Sequence, residues 1–81
     1  MSLEMEYPIE VWDKEEERFG YLRFKTNDKG KLFLFRDEAT EGLQYYNIRK
    51  LRNMAELTDI AEYIFDQMQD RYHRVVRGWA A

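Results

Sequence analysis

The stretch from residue 20 to 36, GYLRFKTNDKGKLFLFR, interleaves aromatic rings with cations. Tyr21, Phe33 and Phe35 supply planar faces. Arg23, Lys25, Lys29, Lys31 and Arg36 supply positive charge, and Asn27 adds a side-chain amide able to meet a base edge. Rings beside cations suit one kind of chemistry well: flat heterocycles stack on the rings at ~1–3 kcal/mol each, while cations follow phosphates. Such residues act together only where the backbone brings them to one surface.

The backbone pattern is that of a hairpin. Asn27-Asp28-Lys29-Gly30 fits a type I turn with Gly30 left-handed and a bulge after it, joining a strand at 19–26 to one at 31–36. If the bulge forms, Thr26 pairs near Leu32, and Leu22, Phe24, Leu32 and Leu34 share the inner face. Tyr21, Arg23, Lys25, Phe33 and Phe35 then lie outside. If it does not form, Thr26 pairs with Lys31 and the third strand exchanges sides. Phe33 and Phe35 then turn inward, while Leu32, Leu34 and Arg36 join Tyr21, Arg23 and Lys25 outside. Both registers stay open, and both leave rings or large apolar groups beside bases on the outer face.

Two further strands and a helix complete the expected layout. Ile9 and Val11 alternate with Glu10 and Trp12 in a first strand at 7–13, with Pro8 marking its start. Trp12 is read as a core residue, and the charged run KEEER as a solvated turn. A fourth strand is expected at 43–48, after the polar DEATEG connection. Asn53 as N-cap with Glu56 three residues on then opens one long helix over about 54–77. Leu57, Ile60, Ala61, Ile64, Phe65, Met68, Tyr72, Val75 and Val76 recur at helical spacing along it. Gly78 would end the helix, with Trp79 folding back on its last turn. The fold class expected is α+β: a four-stranded antiparallel sheet with one C-terminal amphipathic helix on one face, a single domain over residues 1–81.

One helix shields one sheet face only. The second face needs cover, because exposed apolar patches of that size mark interfaces. A second subunit, closure into a barrel, single-stranded nucleic acid or another protein would each provide it.

Charge is unevenly distributed within the net −3. Residues 1–17 carry seven acids against one base, a balance of −6. Residues 18–52 carry nine bases against four acids, a balance of +5, and residues 53–81 return to −2. The basic middle contains the hairpin. The absence of cysteine leaves no disulfide or thiolate metal site and suits a reducing, cytoplasmic setting. No apolar run reaches the ~18 residues of a membrane span, and residues 1–8 have no signal-peptide pattern.

Two family resemblances follow from these residues. YLRFKTNDKGKLFLF, residues 21–35, resembles the signature hairpin of PUR repeats, Y-L-D-V-K-x-N-x-K-G-R-F-L-K-I. Tyr21, Leu22, Lys25, Asn27, Lys29 and Gly30 match it, Lys31 stands for its arginine, and Arg23 replaces its acid. The order of four strands and a helix also looks like one PUR repeat and like the positive-cofactor coactivators. The resemblance implies binding of single-stranded DNA or RNA and, with one repeat present, a homodimer. Trp12 with Phe19-Gly20-Tyr21-Leu22 and Lys31-Leu32-Phe33 also looks like the W…F-G-F-I and D-V-F elements of cold-shock domains, over residues 11–35. That likeness lacks the histidine expected at Phe35 and the final strand.

No catalytic constellation stands out. The lone His73 shares a helical spacing with Asp66 and Asp70, which charge pairing accounts for as well as a metal does. No nucleophile elbow, phosphate-binding glycine loop or zinc spacing occurs, so no enzyme activity, cofactor or metal is expected. The rival to nucleic-acid binding is a small protein-interaction or inhibitor module, phage adaptors being one example. Its acidic surface would mimic nucleic acid, and its second sheet face would serve dimerisation.

Overall fold

The computed structural model describes residues 4–76. Its strands are β1 (Glu6–Asp13), β2 (Arg18–Thr26), β3 (Leu32–Arg36), β4 (Leu43–Gln44) and β5 (Tyr72–Arg74), with one helix, α1 (Met54–Asp66), between β4 and β5. The strands form one antiparallel sheet in the order β4-β3-β2-β1-β5. The protein is thus α+β, with five strands where four were expected. The Gly78 and Trp79 assignments lie outside the described residues.

Period-2 alternation produces the core. Ile9 and Val11 of β1, Leu22 and Phe24 of β2 and Leu32 of β3 point to the same side. Leu57, Ala61, Ile64 and Phe65 on one stripe of α1 cover them, with Leu51 filling the end. The helix starts as its sequence predicts. Asn53 Oδ1 accepts from the Glu56 backbone N–H at 2.9 Å, and Glu56 Oε2 accepts from the Arg52 N–H at 2.8 Å.

The helix stops at Asp66, not near residue 77. The Gln67 N–H bonds back to Ile64 and Phe65, and tight turns at Met68 and Arg71 reverse the chain. Residues 72–74 then pair with β1, Val11 opposite Arg74 and Asp13 opposite Tyr72. The hydrogen bonds Lys14 N–H to Arg71 O and Val75 N–H to Glu10 O, both 2.9 Å, extend that pairing. Met68 and Tyr72 pack on the core in this arrangement too, so their helical spacing was compatible with either structure. The deciding factor is non-local: β1 has a free edge whose backbone groups take hydrogen bonds from a returning chain.

The fourth strand is also shorter than the expected 43–48. After Gln44, Tyr45 still donates to Leu32 O at 3.0 Å, but the chain then leaves the ladder. It crosses to the hairpin tip, where the Leu51 N–H meets Gly30 O at 2.9 Å.

Candidate functional site

The hairpin adopts the bulged register. Gly30 sits at φ +76°, the Gly30 N–H donates to Asn27 O, and Thr26 pairs with Leu32. Lys25 therefore stands opposite Phe33 and Arg23 opposite Phe35, all on the face that α1 does not cover. Tyr21 lies on the same side, 47% exposed. Neighbouring strands extend this surface. Glu6 flanks Lys25, Pro8 flanks Arg23, Glu10 flanks Tyr21, and Trp12 flanks Phe19. His73 of β5 closes the row beside Trp12.

Trp12 is thus not a core residue. Val11 and the fully buried Asp13 hold the inner phase of β1, which forces Trp12 outward. There it meets the 59% exposed Phe19 edge-on, with ring centroids 4.8 Å apart and planes at 70°.

The face is ordered by ring–cation contacts. Phe33 and Phe35 lie side by side with centroids 6.3 Å apart and planes inclined by 29°. The Arg23 guanidinium is 5.5 Å and the Lys25 ammonium 5.7 Å from the Phe35 centroid, within cation–π range. Arg23 also pairs with Glu6 at 3.3 Å and donates to Ala39 O at 3.2 Å. A shallow hollow of about 460 Å³ opens between Lys25, Phe33, Phe35 and residues 4–6, where the chain enters β1. The face consequently carries both signs of charge, Arg23 and Lys25 against Glu6 and Glu10.

Five of the nine candidate binding residues, Tyr21, Arg23, Lys25, Phe33 and Phe35, share this face. Lys29 and Lys31 lie at the hairpin tip that continues it. The Asn27 Oδ1 atom is committed to the turn, accepting from the Lys29 and Lys31 N–H groups at 2.9 Å each. Arg36 is on the opposite side, pairing with Asp13 at 2.8 Å and with Glu16 and Asp37 at 3.0 Å.

That last cluster was not foreseen. Asp13 is 0% exposed and accepts hydrogen bonds from Arg71 and from the Glu15 and Glu16 N–H groups, beside its ion pair with Arg36. The Arg71 hydrogen bonds hold its carboxyl well below the usual carboxylate range, outweighing the opposing effect of burial. The available signal was an acid in the Ile9, Val11, Asp13 phase of a strand, where an apolar residue belongs. A second cluster ties α1 to the sheet: the Tyr7 hydroxyl donates to Glu62 at 2.7 Å, and Arg74 pairs with the same carboxylate. The Arg74 hydrogen bond lowers the Glu62 pKa, and the Glu62 hydrogen bond raises that of Tyr7.

The metal-ligand spacing dissolves in three dimensions. Asp66 ends α1, Asp70 lies in the turn and His73 is on β5. Among the described residues no three His, Asp or Glu side chains gather as metal ligands, and no helix is long and apolar enough to cross a membrane.

These features define a small α+β protein with one sheet face covered by a helix and the other bearing rings and cations. No protein-family model, curated protein or solved structure matches the chain.

Proposed function

We propose that the uncovered sheet face binds single-stranded nucleic acid with low sequence selectivity, the protein acting as a homodimer. The observation that carries this is the register: Lys25 opposite Phe33 and Arg23 opposite Phe35 place rings and cations on one side of the sheet. Tyr21 and Phe33 are the stacking platforms. Phe35 orients the cations of Arg23 and Lys25, and Lys29 and Lys31 meet phosphate beyond the sheet end. DNA and RNA share this chemistry.

Fluorescence anisotropy with labelled single strands at low salt tests the proposal. Binding that weakens steeply with salt is the expected result; no binding at low salt refutes it. The carboxylates of Glu6 and Glu10 on the same face favour a second reading, a protein partner with mixed charge or a second copy of the chain. The two separate on heparin or DNA resin. A nucleic-acid binder is retained despite a sequence pI near 5.1 and is released when Arg23 and Lys25 become glutamate. A protein-binding module passes through in both forms.

A further inference from the structure

The sheet face is close to charge-balanced, yet a bound strand brings one negative charge per nucleotide. A strongly basic region lies where the hairpin tip meets the segment before α1. The Leu51 N–H bond to Gly30 O at 2.9 Å fixes the two chain segments in backbone contact, so close that a Cβ on Gly30 would stand 2.7 Å from Leu51 O. This junction gathers Lys29 and Lys31 from the tip with Arg49, Lys50 and Arg52 from the other segment.

Three carboxylates stand near these five cations: Asp28 in the tip, and Glu56 and Asp59 on α1. Glu56 answers Arg49 at 3.7 Å and Arg52 at 3.2 Å, but those side chains remain 72% and 74% exposed. The Glu56 side chain is also engaged in capping α1. Among the described residues Lys29, Lys31 and Lys50 make no ion pair. The other end of β2 has no such surplus, since Arg18, Arg36 and Arg71 are all engaged with the glutamates of the 14–17 turn. Phosphates leaving the ring face meet a surplus of cations at the hairpin tip and none at the 14–17 end.

Resting on the nucleic-acid reading above, we propose that the sugar-phosphate backbone of the bound single strand leaves the sheet over the hairpin tip. There it crosses Arg49 and Lys50, which serve as a second phosphate-binding segment. Charge complementarity and continuity both support this occupant: β2 ends at Thr26 and β3 begins at Leu32, so the tip prolongs the ring face, and beyond it the path turns toward the α1 side, where Arg49 lines a hollow with Glu56 and Tyr63.

The test compares a short and a long oligothymidylate, about 5 and about 15 nucleotides, spanning the range of site sizes known for such surfaces. Salt dependence of affinity is measured for the unaltered protein, the Arg49→Gln/Lys50→Gln double variant and Tyr21→Ala. Each single-strand phosphate contact contributes about 0.7 to the slope of log K against log salt, so the double variant should lose about 1.4 with the long probe. Its slope with the short probe should hold, and Tyr21→Ala should weaken both probes. An unchanged slope with the long probe, while Tyr21→Ala still weakens binding, overturns this path and leaves the ring face standing. Failure of both probes to bind the unaltered protein at low salt overturns the ring face and the path together.

Discussion

Arg71 reaches across the fold to Asp13, 58 positions earlier, placing Nε 3.2 Å from Oδ1 and an Nη 3.0 Å from Oδ2. The pair joins the turn after α1 to the end of β1 and sets where the returning chain enters the sheet. Removing Arg71 leaves the buried Asp13 with Arg36 as its remaining counter-charge and two backbone N–H donors, so the pair is broken at a cost but the carboxylate is not stranded. Arg71→Met should lower the melting temperature by roughly 5 °C or more, about the response of a domain this small to a loss near 1 kcal/mol. An Asp13→Asn/Arg71→Met double variant should recover part of the loss. Equal melting of single variant and unaltered protein in a thermal scan contradicts this role.

Acid stability follows from the same carboxylate. Asp13 is held down chiefly by Arg71, Glu62 by Arg74 and Glu56 by the Arg52 backbone N–H. A carboxyl with a depressed folded-state pKa contributes stability that is complete above its unfolded value, about 3.9–4.3, begins to fall there, and is lost as pH drops on through the lower folded value. Urea midpoints should therefore stay nearly level from about pH 7 to 5.5 and fall below about pH 4.5. Asp13→Asn should flatten the acid limb; an identical limb in that variant would remove Asp13 as its source.

Gly30 is tested separately, because it is confined by conformation and by space. Its φ of +76° disfavours any L side chain by about 1–2 kcal/mol. A Cβ would also press on Leu51 O, a backbone atom that cannot simply rotate away. Gly30→Ala should cost about 2 kcal/mol or more in urea unfolding and loosen the junction between the tip and residues 49–52. A loss below about 0.5 kcal/mol would show that the tip yields easily.

What was legible in the sequence was local. Asn27-Asp28-Lys29-Gly30 encodes its own turn, and the outer face mixes rings and bases in either register; Asn53 and Glu56 encode the start of α1. The register itself rests on whether the bulge forms, a balance that turn chemistry alone left open. What escaped was set by distant partners. Met68, Tyr72 and Val75 fit a helix until the free edge of β1 enters the account. Arg36 resembles a phosphate ligand until the buried Asp13 is found beneath it. Trp12 resembles core because it is large and apolar, yet its phase in β1 turns it outward.

The ring face makes a prediction that separates binding from stability. Phe24 and Tyr21 lie three residues apart on β2, but Phe24 is wholly buried under α1 and Tyr21 is on the open side. Phe24→Ala should cost about 3–5 kcal/mol, a large part of what holds so small a domain together. Tyr21→Ala should change stability by no more than about 0.5 kcal/mol. In anisotropy titrations the same substitution should weaken single-strand binding by about 1–3 kcal/mol, roughly 5- to 150-fold in Kd, with Phe33→Ala behaving alike. If Tyr21→Ala unfolds the protein, its ring supports the sheet instead of awaiting a ligand. If it leaves both stability and binding intact, the stacking platform is elsewhere.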